Sequence, residues 1–170
     1  MIRTAKEEDI RAILEIYNDA IVNTTAVYDY EPYSYENRKQ WFEQKKKAGQ
    51  PLIVYEDQGK IIGFATYGPF RERPAYKYTV EHSVYVKDHS SRKGVGSTLL
   101  KEIIKIAREN KYKMMIGMID AANTGSIKLH EKLGFEHAGT IKNSGYKFNQ
   151  WLDLAFYQLE LPGPNNPIES

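Results

Sequence analysis

Apolar residues recur along this chain in two rhythms. Helical spacing at Ile10, Ile13, Leu14 and Tyr17 predicts a helix after a short strand at 2–5. Thr4, with Glu7 three residues on, is the expected capping box of that helix. A loop rich in Tyr and Thr covers 24–35. Ser34 and Asn37 then open a second helix through Trp41 and Phe42, which Gly49 and Pro51 stop. Two strands are predicted at 52–55 and 60–67, joined by a Glu-Asp-Gln-Gly turn at 56–59. A charged loop, 71–74, precedes a long alternating strand at 76–86. The clearest helix follows, with Leu99, Leu100, Ile103, Ile104 and Ala107 forming one apolar stripe. A buried strand at 114–119 and a short helix capped by Asn123 and closed by Gly134 come next. Final strands are predicted at 135–142 and 146–161. Strands and helices interleave, so the class is α/β or α+β with a mixed sheet.

A chain of 170 residues suits one domain, expected over 1–161, with 162–170 a frayed tail. With no Cys, disulfides, thiolate metal sites and a cysteine nucleophile are excluded. No His pair has metal-ligand spacing, so no metal is expected. The N-terminal stretch is charged and no long apolar run occurs, so a cytoplasmic protein without a membrane partner is expected. The formal net charge of +2 is scattered among mixed acids and bases, which argues against a nucleic-acid partner.

The chemistry begins at residues 84–100, VYVKDHSSRKGVGSTLL. A helix start exposes unpaired N–H groups at the positive end of its dipole. Glycines let the backbone approach a ligand closely. With Arg92 and Lys93 alongside, this loop suits a phosphate or pyrophosphate. The P-loop pattern is absent, and the third glycine of the dinucleotide fingerprint is missing.

Ser91-Arg92-Lys93-Gly94-Val95-Gly96 resembles the acetyl-CoA pyrophosphate loop of the GCN5-related N-acetyltransferases (GNAT), departing from the pattern at Ser91, where Gln or Arg is usual. The stretch from Asn123 through Ser126 and His130 to Gly134-Phe135 resembles the family's second signature. TVEHSVYV (79–86), GVGSTLL (94–100), SIKLHEKLGF (126–135) and GYKFNQWLDLAFYQLEL (145–161) narrow the likeness to the phosphinothricin and methionine sulfone/sulfoximine acetyltransferase group. The resemblance implies the GNAT fold, a mostly antiparallel mixed sheet of about six to seven strands flanked by about four helices. It also implies acetyl-CoA as co-substrate, a small-molecule amine as acceptor and a homodimer.

Residue by residue, the resemblance implies cofactor contacts from Ser91, Arg92, Lys93, Gly94, Val95, Gly96 and Ser97, and from the backbone of Val84, Tyr85 and Val86. Asn123 and Ser126 would meet the pantetheine arm. Glu81 is the candidate base, with burial among valines raising its pKa. Alternation leaves open that Glu81 is a surface carboxylate. His130 stands where many relatives carry an acidic Tyr, and its ordinary pKa suits proton transfer. A core histidine is the other reading. Arg71, Arg73 and Lys147 are candidates to grip an acceptor's acidic head, with Tyr28 walling the site, beside Tyr30, Tyr33 and Tyr35. A solvated charged loop remains the other reading of the arginines, and a dimer surface that of the tyrosines. Other amine acceptors (a polyamine, an aminoglycoside or a protein N-terminus) and a non-catalytic acyl-CoA-binding module are the competing functions.

Overall fold

The computed structural model describes residues 1–87 and 94–170. Strand β1 (Ile2–Thr4) leads through a one-turn 3-10 helix, Glu7–Asp9, into α1 (Ile10–Asn23). The expected capping box does not form. Thr4 ends the strand, and the Lys6 backbone N–H instead donates to Asp9 Oδ2 at 2.7 Å. Burial alone would raise the Asp9 pKa, but hydrogen bonds from Arg3 and the Lys6 backbone hold it below the usual carboxylate range. Helix α2 (Tyr35–Lys47) starts as read, with Ser34 Oγ accepting the Asn37 N–H at 3.1 Å. Strands β2 (Leu52–Asp57) and β3 (Lys60–Pro69) form a hairpin. Gln58 and Gly59 turn it with φ of 51° and 77°.

The long strand expected at 76–86 begins later. Pro74 pre-sets a second one-turn 3-10 helix, Pro74–Tyr76, and β4 runs from Thr79 to Val86. Helix α3 (Val95–Glu109), β5 (Met114–Asp120) and α4 (Thr124–Lys132) follow. The last boundary also differs from expectation. The break expected between strands at 143–145 is instead an irregularity within β6 (Glu136–Lys147), where Asn143 has φ 55° and the register shifts. The chain reverses at Phe148 and Asn149, with φ of 51° and 60°, into β7 (Gln150–Glu160).

The strands are ordered β1-β2-β3-β4-β5-β7-β6 in a mixed, mostly antiparallel sheet, with β4 parallel to β5. Contacts divide the chain into two units, residues 1–67 with 83–103, and 68–82 with 104–170. Strand β4 passes from the second into the first after His82. In the first unit, Ile10, Ile13 and Ile16 of α1 pack with Phe42, Val54 and Phe64. In the second, Met115, Phe135, Leu152 and Tyr157 are buried. The tail carries no helix or strand, yet Ile168 N–H donates to the Tyr78 hydroxyl at 3.0 Å. Among the described residues, no helix is long and apolar enough to cross a membrane.

Gly63 decides how close α3 comes to the sheet in the first unit. A Cβ there would lie 2.9 Å from Leu99 Cδ1, 3.1 Å from the Tyr85 carbonyl oxygen and 3.3 Å from Val95 Cγ1. The missing side chain lets the first turn of α3 lie against β3. Gly63→Ala is therefore expected to destabilise the protein by about 1–3 kcal/mol through overpacking. Urea unfolding measures this, and an unchanged midpoint would show that α3 yields freely.

Candidate active site

The candidate residues fall into two sets, one in each unit. In the first, Gly94 has φ 89°, a left-handed conformation that glycine adopts without strain. Its carbonyl accepts the Thr98 N–H at 2.9 Å and the Thr98 hydroxyl at 2.7 Å. The N–H groups of Val95, Gly96 and Ser97 thus lie in the first turn, ahead of the helix's own ladder. Val95 is buried, while Gly96 and Ser97 are half-buried. Ser91, Arg92 and Lys93 lie outside the described residues.

Val84, Tyr85 and Val86 are half-buried on β4, past the Thr79–Glu81 ladder with β5. The Tyr85 ring packs against Tyr17 and Phe64, each at 5.3 Å between centroids, so the side chain belongs to the core. Tyr28 is half-buried and Tyr30 is 65% exposed. Tyr33 stacks on Tyr17 at 5.8 Å and donates its hydroxyl to Asp29 at 3.0 Å. The tyrosine-rich segment is thus partly structural. It also covers a residue the sequence did not single out. Arg38 is buried with its guanidinium 4.6 Å from the Tyr17 ring centroid and 4.3 Å from that of Trp41. Its signal was a basic residue on the inner phase of α2.

In the second unit, Glu81 is half-buried on β4 between buried Val80 and His82. Burial pushes its pKa up, and the charge of Arg71 pulls partly the other way. Arg71 and Arg73 are exposed in the loop before β4, Arg71 with its guanidinium 4.9 Å from the Phe70 ring centroid. Lys147 is different. It is 4% exposed, with Nζ 5.1 Å from the Phe148 ring centroid, so its charge is not displayed as those of Arg71 and Arg73 are. Asn123 caps α4, its Oδ1 accepting the Ser126 N–H at 3.1 Å.

His130 is buried, and each of its ring nitrogens has a neighbour. Nδ1 lies 2.7 Å from the Ser126 carbonyl oxygen and 3.4 Å from the Ser126 hydroxyl. Nε2 lies 2.9 Å from Nε2 of His82. His82 is also buried, with Nδ1 3.0 Å from the Ile116 carbonyl oxygen. Burial drives the pKa of both histidines below the ordinary value. Space for the pair comes from Gly117 in mid β5. A Cβ there would sit 2.7 Å from His82 Cε1 and 3.5 Å from His130 Cδ2. The sequence reading placed His82 only as an alternating strand residue. Its signal was a histidine on a face otherwise marked by valines.

The chain matches the acetyltransferase (GNAT) domain family over residues 2–156. It is 44% identical over 161 residues to the L-methionine sulfoximine/L-methionine sulfone acetyltransferase of Pseudomonas paraeruginosa, covering 94% of each chain. It superposes on an N-acetyltransferase from Staphylococcus aureus Mu50 with a TM-score of 0.93 and 54% identity, covering 94% of this chain and 97% of that one. A GNAT superfamily phosphinothricin acetyltransferase from Sinorhizobium meliloti in complex with AcCoA gives a TM-score of 0.91 at 37% identity, covering 95% and 88%. A match that starts in the first strand and runs into the last, over a chain whose best-patterned helix opens on a left-handed glycine, places this protein in the GNAT acetyltransferase family.

Proposed function

We propose that the protein transfers the acetyl group of acetyl-CoA to the amine of a small amino-acid-like acceptor of the phosphinothricin or methionine sulfone/sulfoximine type. The observation that carries the cofactor half is the start of α3. Gly94 at φ 89° ends the loop, and three first-turn N–H groups follow it, a donor set that fits a diphosphate. Val84 to Val86 offer backbone groups alongside which the pantetheine arm lies as an added strand. Asn123, at the cap of α4, is a further candidate cofactor contact on the strength of the family likeness.

Glu81 is the base. A carboxylate whose pKa is raised by burial accepts a proton from the acceptor's ammonium more readily than an exposed one. The freed amine attacks the thioester carbonyl directly, because the chain has no Cys to carry an acyl intermediate. Arg71 and Arg73 hold the acceptor's acidic head, for which a guanidinium's forked donors suit two oxygens. Lys147 is left out of this role because it is buried. The protein works as a homodimer in the cytoplasm, an extension supported by the family likeness alone.

The test is thiol release from acetyl-CoA against a panel of methionine sulfone, methionine sulfoximine, phosphinothricin, ordinary amino acids, spermidine and an aminoglycoside. Turnover confined to the amino-acid-like acceptors is expected. Preference for spermidine or the aminoglycoside would overturn the acceptor class, and acetyl-CoA binding without turnover on any amine would make the protein a binding module.

A further inference from the structure

The proton count of the buried histidine pair does not close when both rings are neutral. A carbonyl oxygen only accepts, so Nδ1 of His82 donates to Ile116 and Nδ1 of His130 donates to Ser126. Each neutral imidazole has one N–H, and both are then spent. The two Nε2 atoms would face each other at 2.9 Å with lone pairs on both sides. Two arrangements relieve this. A third proton can lie between the Nε2 atoms, which satisfies all four nitrogens and leaves the pair with one positive charge. Alternatively, His130 moves its proton to Nε2 and donates to His82, while its Nδ1 accepts from the Ser126 hydroxyl at 3.4 Å. In that neutral form the Nδ1 lone pair points at the Ser126 carbonyl oxygen only 2.7 Å away. The charged form is the better hydrogen-bonded one, and the neutral form costs less to bury.

We propose that His82 and His130 act as a single proton-holding unit whose outlet is the Ser126 hydroxyl, with His82 as the positioning residue that lets His130 carry the proton. This deepens the acetyl-transfer reading and rests on it. When the C–S bond of the thioester breaks, its electron pair stays on sulfur. The Ser126 Oγ–H proton goes to that sulfur, and the Nδ1–H proton of His130 replaces it on Oγ. The proton between the Nε2 atoms stays on His130, so the pair ends neutral. One of the two protons that the acceptor's ammonium loses reloads it, and the other leaves to solvent.

The surroundings fit a unit that is charged only transiently. Burial disfavours the cation, and among the described residues the ionisable group that bears on His82 is His130 itself. Glu81 neighbours His82 on β4 but alternates to the other face. Glu131 of α4 bears on Tyr157 of β7, whose ring lies 5.3 Å from that of His137 of β6. Phe135 packs on both imidazoles, with centroids 5.3 Å from His82 and 5.0 Å from His130, and adds no charge beside them. The extra proton is therefore bound weakly, below the ordinary histidine range, and is readily given up.

The experiment is a ring 15N NMR titration of the whole protein between about pH 4 and 9, beside pH–rate profiles of variants. His82 and His130 are expected to take up one proton between them, in one step, with Nδ1 of His82 protonated throughout. His82→Asn is expected to lower kcat on the order of tenfold, short of the full effect of an acid catalyst, and Ser126→Ala, which removes the group that protonates sulfur, by about 10²-fold. Both should also shift the pH–rate profile, and His82→Asn should leave the acetyl-CoA Kd unchanged. Two independent uptake steps, or wild-type pH–rate profiles in both variants, would overturn the proposal. If His82→Asn does not fold, the wild-type titration and Ser126→Ala decide alone. Failure of the acetyl-transfer reading is told apart by the wild-type protein turning over no amine, a result that does not touch the titration.

Discussion

Glu81→Gln is expected to lower kcat by about 10²- to 10⁴-fold, the range that a positioned base supplies, with acetyl-CoA affinity by calorimetry unchanged. Gln keeps the shape of the side chain and removes its ability to take a proton. The pH dependence carries a second, signed expectation. The base works unprotonated, so kcat/KM rises with pH through the Glu81 pKa, which burial has moved up. Arg71 opposes that movement. Removing its charge in Arg71→Ala therefore shifts the acid limb to higher pH, in addition to any loss of acceptor affinity. A variant Glu81→Gln with wild-type kcat across the pH range would remove Glu81 from the mechanism. An acid limb that moved down in Arg71→Ala would show that another group sets it.

The second large effect is expected at Gly96, in the first turn of α3. A β-branched side chain there stands between the first-turn N–H groups and anything that approaches them. Gly96→Val is expected to weaken acetyl-CoA binding by about 100-fold, equal to about 2.7 kcal/mol. The same substitution improves helix propensity, so Tm should hold or rise. That split separates a ligand contact from a folding defect. Unchanged affinity would show that the diphosphate lies elsewhere, and a lower Tm with lower affinity would show that residue 96 serves packing.

Local pattern carried the fold wherever a residue's partner lies nearby in sequence. The stripe from Leu99 to Ala107 marked α3, and all five of its apolar residues are buried. Ser34 and Asn37 marked the start of α2 because the cap bond spans three residues. Expectation failed where a distant partner decides. Asn143-Ser144-Gly145 has turn composition, yet pairing with β7 continues on both sides of it, and the Asn143 N–H donates to Asp153 Oδ1 at 2.8 Å. Thr4 has capping chemistry, but pairing with Ile53 makes it a strand residue.

The same division runs through the candidate site. Glu81, Asn123 and His130 stood out because they sit in contiguous, family-like stretches. His82 lies beside Glu81 in the sequence, and what gives it meaning is 48 residues away at His130. Lys147 looked like an available cation because its burial is set by tertiary packing and not by its neighbours.

Gly117 leaves a final consequence. The volume a methyl group would take at that residue is already held by the imidazole of residue 82, 2.7 Å from where the methyl carbon would be. The two positions draw on one space and cannot vary independently. A lineage that acquires a side chain at 117 has to trim residue 82 in step, so tolerance at either site depends on the genetic background in which it is measured.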